Sequence, residues 1–265
     1  MSKTKYTTRA NNLNPHFVTG FSDAESCFIL IISKNPRQTL GWSVKLVFNI
    51  HLHSKDINSL YIIQRFFGVG NVTLHGDAAH YQATKLSDLA CIIEHFNNYP
   101  LKTKKYADFL LFKKAYDIIN NKKYLTKAGL RKLISIKASM NKGLPERLEV
   151  AFSNLTLVTR PQVPKINLGL NIPNIKYWMA GFVSGEGCFF IKTSKSKTHK
   201  LGISVTLNFL VTQNIRDAYL LESFVQVFDC GSFSIVEKSR IGTFAVWNFS
   251  HIVDNIIPFF KEYPI

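Results

Sequence analysis

The chain is poor in acid. Only 17 Asp and Glu stand against 33 Lys and Arg among 265 residues, a formal net charge of +16 at neutral pH. That imbalance points to a polyanionic partner, either nucleic acid or an anionic membrane surface. Apolar runs are short, Phe28–Ile32 being representative, far below the ~20 residues of a bilayer span, so no membrane crossing is expected. The opening MSKTKYTTRANN lacks a hydrophobic stretch, which excludes a cleaved secretory signal from the expectation. Four cysteines, Cys27, Cys91, Cys188 and Cys230, form no C-x-x-C pair. Neither a disulfide framework nor a zinc ribbon is therefore indicated. What is plentiful is apolar residue, 46% of the chain, enough for the cores of one large domain or two medium ones.

The strongest organisational signal is an internal repeat. FVTGFSDAESCF (17–28) aligns with WMAGFVSGEGCF (178–189), matching Gly20 with Gly181, Phe21 with Phe182, Glu25 with Glu186, Cys27 with Cys188 and Phe28 with Phe189. The same register pairs Phe48 with Phe209, Lys55 with Arg216, Asp56 with Asp217, Phe67 with Phe228 and Gly70 with Gly231. HFNNYPL (95–101) then resembles FFKEYPI (259–265), with the offset grown by three at the Tyr-Pro pair.

Between the halves lies the proline-bearing stretch 153–174, without apolar periodicity, which reads as an extended linker. The expected domains are 1–152, carrying the first repeat with further helices, and 175–265, carrying the second repeat without them. Each half reads as a helix at the Gly/Glu segment, two β-rich stretches, a helix, a second hairpin and another helix, αββαββα. The expected strands are 28–34, 42–52, 69–75 and 79–85, then 189–194, 202–212, 231–237 and 243–249. Residues 102–152 add two or three helices, and 102–142 contain twelve Lys and Arg against Asp108 and Asp117. Such a run is either a solvated helix face or a polyanion contact.

Gly20 and Gly181 have small neighbours in Thr19, Ala24, Ala180 and Gly185, so helices over 13–27 and 175–188 are suited to close docking. Docking about a pseudo-dyad brings Glu25 and Glu186 together, and paired carboxylates repel unless a divalent cation sits between them. With phosphate as the implied partner, that arrangement suits metal-assisted phosphodiester hydrolysis.

In duplicate, GFSDAES (20–26) and AGFVSGEG (180–187) resemble the two LAGLIDADG motifs of single-chain homing endonucleases, especially those encoded in fungal mitochondrial group I introns. The similarity extends from about Asn14 to Ile265 and includes the YPL-KTKK segment and the MNKGL stretch (140–144). It implies an α+β fold of two pseudo-symmetric repeats, each a curved antiparallel saddle backed by helices. It implies a monomeric, Mg²⁺-dependent enzyme that makes a double-strand break with 3′ overhangs, with Mn²⁺ able to substitute and Ca²⁺ supporting binding only. Glu25 and Glu186 take the metal-ligand role, with the carbonyls of Ala24 and Gly185 beside them. Gln213 takes the place of a polar residue by the scissile phosphate. Its first-half equivalent is Leu52, a departure that makes the two strand-cleavage sites unequal. Lys104 or Lys105 takes the role of the lysine after the Tyr-Pro turn, and 265 residues contain no second-half counterpart. Mitochondrial localisation is the family expectation, and the abundance of Lys, Asn, Ile, Phe and Tyr fits an AT-rich organellar gene.

Alternation within the strands divides inner from outer faces. Trp42, Val44, Leu46, Phe48 and Ile50 point inward, as do Ile203, Val205, Leu207 and Phe209. The outward, DNA-reading set in the first half is Ile29, Ile31, Ser33, Lys34, Ser43, Lys45, Val47, Asn49, His51, Asn71, Thr73, His75, His80, Gln82 and Thr84. In the second half it is Lys192, Ser194, Ser204, Thr206, Asn208, Leu210, Thr212, Ser232, Ser234 and Lys238. β-Ribbons fit the major groove, and strands of about ten residues at ~3.3 Å cover ~33 Å, about 10 base pairs per half and roughly 20 in all. Ile29, Ile31, Val47 and Leu210 suit either thymine methyls or packing at the sheet edge. His51 and His53 alternate, but no acidic partner or HNH spacing accompanies them. The alternatives to a double-strand DNA endonuclease are an RNA maturase acting on its host intron and a DNA-binding relative that has lost cleavage.

Overall fold

A computed structural model describes residues 13–165 and 172–265. The chain opens with α1 (Pro15–Glu25), β1 (Ser26–Lys34) and β2 (Trp42–His53). A 3₁₀ turn then leads into α2 (Ile57–Phe67), followed by β3 (Asn71–His75), β4 (Ala78–Ala83) and α3 (Leu86–Asn98). Three further helices follow, α4 (Lys105–Asn120), α5 (Lys127–Ala138) and α6 (Glu146–Ala151). The pattern then restarts with α7 (Ile175–Glu186), β5 (Gly187–Lys195), β6 (Ile203–Asn214), α8 (Tyr219–Phe228), β7 (Ser232–Val236) and β8 (Ile241–Val246). It ends in α9 (Phe249–His251), a π-helical segment (Ile252–Ile256) and α10 (Ile257–Glu262). The αββαββα order is therefore present twice. No described helix is long and apolar enough to cross a membrane.

Both sheets are four-stranded and antiparallel, ordered β1-β2-β4-β3 and β5-β6-β8-β7. The repeat register is visible in their bounds. β1 and β5 begin at Ser26 and Gly187, β2 and β6 at Trp42 and Ile203, and β3 and β7 at Asn71 and Ser232, each pair 161 positions apart. The two-residue turn Gly76-Asp77 is replaced by the four residues 237–240, so β4 and β8 begin 163 apart, at Ala78 and Ile241. α3 is matched by α9 through α10, where the π-helical segment takes up one more residue. Tyr99 and Tyr263 consequently stand 164 apart. This is the growth in offset visible in the sequence. The last strand spans 241–246 where 243–249 was expected.

Two compact units partition the chain: Glu25–Val163 forms the first, and Asn14–Ala24 joins Pro164–Ile265 in the second. The first core is aromatic. Phe28 lies 5.2 Å from Phe48, 5.5 Å from Phe96, 5.5 Å from Phe109 and 5.3 Å from Phe112, ring centre to ring centre. Phe109 and Phe112 come from α4, which closes the inner face of β1. On the edge strand itself, Asn141 donates to the Phe28 carbonyl (2.7 Å) and Lys137 to that of Leu30 (2.9 Å), so β1 does not end as an open row of acceptors.

The second core repeats the first three rings as Phe189, Phe209 and Phe260. The expectation of a fully packed inner face needs correction here. Ile203 and Val205 are 51% and 62% exposed, because among the described residues of this unit no helix occupies the place that α4 takes against β1.

Candidate active site

The two motif helices meet within the second unit. A Cβ built on Gly20 would lie 1.9 Å from the Trp178 carbonyl oxygen, and one on Gly181 would lie 2.0 Å from that of Phe17. No side chain fits either position, so both glycines are required by backbone contact rather than by a turn. These glycines are the expected docking points, and the contact is reciprocal. It is reinforced by a buried pair that sequence reasoning missed, in which the Trp178 indole donates to Asp23 Oδ2 at 2.8 Å. Asp23 sits two residues before Glu25 in the repeat, where the second half has Ser184.

Each helix ends on its glutamate, Glu25 for α1 and Glu186 for α7. A carboxylate at a helix C-terminus faces the negative end of the helix dipole and the unsatisfied carbonyls of the last turn. Both positions therefore favour a cation. Ala24, Gly185 and both glutamates are half-buried.

The surroundings of the two carboxylates differ. Burial pushes the Glu25 carboxyl above its ordinary range, and the neighbouring Lys105 ammonium pulls it back. Lys105 is the first residue of α4. Lys104, one position earlier, donates to the Val163 carbonyl at 2.6 Å. Of the two lysines singled out by sequence, the one whose charge acts on Glu25 is thus Lys105. At Glu186 the neighbour is an amide, with Gln213 on β6 donating to Oε1 at 2.7 Å. Among the described residues no group of three or more His, Cys, Asp and Glu is arranged to hold a metal by itself. His53 caps the 3₁₀ turn by accepting from the Lys55 amide.

On the outer face of the first sheet, Ile31, Lys34, Lys45, His51, Asn71, Thr73 and His75 are exposed, while Ile29, Ser33, Ser43, Asn49, His80 and Gln82 are half-buried. A polar network ties part of this face together: His80 and Gln82 share the Asn49 side-chain oxygen at 3.2 and 3.1 Å. The His80 ring lies 4.7 Å from His51 and 6.0 Å from His75. Burial, followed by the repulsion of those two rings, holds the His80 ring below its usual value. Ser33 and Ser43 bond to each other at 2.9 Å. Thr84 lies just beyond β4, half-buried.

On the second sheet, Lys192, Ser194, Thr206, Thr212, Ser232 and Ser234 are exposed, with Ser204 and Leu210 half-buried.

Three expectations for these faces need correction. Val47 is only 4% exposed, because β2 is an inner strand and Ile29 is its cross-strand partner. Asn208 is only 5% exposed and folds back to donate to the Thr206 carbonyl and hydroxyl. Lys238 lies in the turn between β7 and β8, not on a strand, because that turn is two residues longer than its counterpart.

Comparison with known proteins places this geometry in context. The family model described as LAGLIDADG endonuclease matches residues 18–116 and 179–265. Probable intron-encoded endonuclease 3 of Neurospora crassa is 37% identical, over 99% of this chain and 49% of its own length. The chain thus spans about half the length of the curated relatives it matches. Among solved structures, the LAGLIDADG meganuclease I-CpaMI bound to uncleaved DNA is 41% identical with a TM-score of 0.89, covering 96% of this chain and 86% of that one. The I-SmaMI homing endonuclease bound to cleaved DNA is 38% identical with a TM-score of 0.90, covering 96% and 84%. I-SmaMI is also similar in its form bound to uncleaved target in the presence of calcium ions, at 37% identity and a TM-score of 0.88, over 96% and 86%.

Proposed function

From the premise that this chain belongs to the LAGLIDADG endonuclease family, we propose that it is a site-specific homing endonuclease. It cuts both strands of a long, asymmetric double-stranded DNA target of about 20 base pairs, leaving 3′ overhangs. Its working form is a monomer in which the repeats 1–152 and 175–265, joined by 153–174, each supply one half of the reading surface. The intron-encoded description of its relatives supports an organellar, mitochondrial setting.

The observation that carries this reading is the reciprocal glycine contact between two helices that each end in a glutamate, within a chain of net charge +16. The donor set fits a hard divalent cation, for which carboxylate and carbonyl oxygens are the preferred ligands. Glu25 and Glu186, with the carbonyls of Ala24 and Gly185, would hold it, Mg²⁺ being the physiological choice. Mn²⁺ replaces Mg²⁺, and Ca²⁺ allows binding alone. When bound, such a cation supplies a more acidic water and neutralises charge on the scissile phosphate. The remaining work belongs to the chain's own side chains. Gln213 fixes the rotamer of Glu186 by donating to Oε1. Lys105 opposes the upward pull of burial on the Glu25 carboxyl and presents a positive charge to phosphate. Outward polar side chains of both sheets read base edges by hydrogen bonding.

The test is selection of the protein against randomised duplex DNA in Ca²⁺, followed by Mg²⁺ on the enriched sequences. Enrichment of one site of about 20 base pairs that is then cut on both strands is the expected result. Glu25→Gln and Glu186→Gln each abolish cutting and spare binding. Cutting that survives either substitution overturns the assignment of the carboxylates. Enrichment of RNA in place of DNA turns the reading to a maturase.

A further inference from the structure

The connecting segment after α6 is fastened to α5 by a regular ladder. Arg131 donates to the Asn154 carbonyl at 2.7 Å, Ser135 to that of Thr156 and Ser139 to that of Val158. The helix contributes every fourth residue and the extended segment every second. The match is metric, since four helical residues rise ~6 Å and two extended residues ~6.6 Å. One step further along, the ladder leaves α5 and reaches α4.

That step is Arg160. Its guanidinium makes a two-pronged pair with Asp108, Nη1 to Oδ1 at 2.7 Å and Nη2 to Oδ2 at 2.8 Å. It also donates to the Ser139 carbonyl at 2.8 Å and to the Lys104 carbonyl at 3.4 Å. Three residues later the Val163 carbonyl accepts from the Lys104 ammonium. Lys104 is therefore gripped by the connecting segment at both its backbone and its side chain. Asp108 is held from a second side as well, because its Oδ1 accepts from the Asn141 amide at 2.9 Å. The Asn141 side chain in turn donates to the carbonyl of Phe28, three residues after Glu25. Lys105 lies between the two gripped residues, in the first turn of α4. A forked Arg–carboxylate pair whose carboxylate is buried fixes direction as well as distance, which a lysine in its place cannot do.

We propose that Arg160, through Asp108 and the Lys104 carbonyl, is a positioning residue that fixes Lys105 relative to Glu25. The connecting segment thus takes part in one strand cut as well as joining the repeats. This rests on the endonuclease reading above, in which Lys105 serves the cut that depends on Glu25.

The experiment is a per-strand, single-turnover cleavage assay on supercoiled plasmid carrying the selected site, with binding measured separately in Ca²⁺. Lys105→Ala identifies the strand that depends on Lys105. Arg160→Ala is expected to slow that same strand roughly 10- to 100-fold, with the other strand near the wild-type rate and nicked circle accumulating. Binding stays within about threefold. Asp108→Asn reproduces the pattern, and Lys105→Ala with Arg160→Ala is no slower than Lys105→Ala alone, since the two act as one unit. Arg160→Lys covers the case in which the alanine variant fails to fold, and it is expected to nick as well. Equal slowing of both strands, no slowing of either, or additive losses in the double variant overturns the proposal while leaving the endonuclease reading intact. A wild-type protein that binds the site and never cuts it overturns both.

Discussion

The two sheets have the same strand order and nearly the same strand bounds, yet their inner faces are buried to different depths. Phe28 and Leu30 of β1 are 0% and 1% exposed, while their counterparts on β5, Phe189 and Ile191, are 49% and 66% exposed. One contact of the shared aromatic trio is kept, Phe28 meeting Phe96 edge-on at 5.5 Å and Phe189 meeting Phe260 edge-on at 5.6 Å, whereas Phe28 is tilted on Phe48 at 5.2 Å and Phe189 stacks on Phe209 at 4.5 Å. What differs is the second layer, Phe109 and Phe112 of α4, which the first unit adds beneath its sheet. Alternation in a strand therefore fixes which way a side chain points. Whether it is buried depends on an element elsewhere in the chain.

The largest expected effect follows from this. Phe28→Ala removes a fully enclosed ring with four aromatic neighbours and should cost about 3–5 kcal/mol, the usual loss for a large core aromatic. Phe189→Ala removes a half-exposed ring stacked on Phe209 at 4.5 Å and should cost about 1–2 kcal/mol, part of the transfer term plus one ring pair. Denaturant unfolding of both variants checks the difference. Equal losses would mean that the β5 face is covered in solution.

The strand pattern and the two helices that each end on a glutamate are legible in the sequence because they rest on local rules: period-two alternation and an ungapped repeat. The glycine contact is legible because it occurs twice. By contrast, the Arg160–Asp108 pair joins residues 52 positions apart, and nothing in the repeat marks it, since among the described residues of the second half no helix corresponds to α4. Val47 and Asn208 were misplaced for a related reason: alternation assigned their face correctly but ignored the neighbours that cover them. The extra residue in the last helix appears in the sequence only as a drift in offset. Its resolution as a π-helical segment needs the backbone.

A second contrast lies between the carboxylates, where Gln213 on β6 corresponds to Leu52 on β2. Gln213→Leu gives the second half the residue of the first. Losing a hydrogen bond to an ionised group costs about 1.5–3 kcal/mol, on the order of a 10- to 100-fold loss in rate if it is felt fully in the transition state. The expectation is slowing confined to the strand cut that depends on Glu186, read by per-strand single-turnover kinetics. Loss of rate on both strands would mean that Gln213 serves a shared step, and the carboxylates would not be independent in the way their surroundings suggest.

The smallest effect concerns stability and separates the costs carried by the first carboxylate. Burial raises the Glu25 carboxyl above its ordinary value of 4.5, with Lys105 opposing. A carboxyl raised by folding favours the protonated form in the native state. Its contribution to stability is complete below pH 4.5 and is lost as pH climbs through the raised value. Glu25→Gln has no charge to bury at any pH. Without divalent metal, that variant should melt above the wild type at pH 7, and the gap should close at pH 4. Lys105→Ala removes the compensating charge and should widen the same gap at pH 7 when compared with Lys105→Ala carrying Glu25→Gln. Thermal melts at the two pH values in chelator decide the matter. A gap that persists unchanged at pH 4 would locate the effect in packing of the amide, and a lower melting point for Glu25→Gln at pH 7 would mean that the ionised carboxylate is a net stabiliser of the metal-free protein.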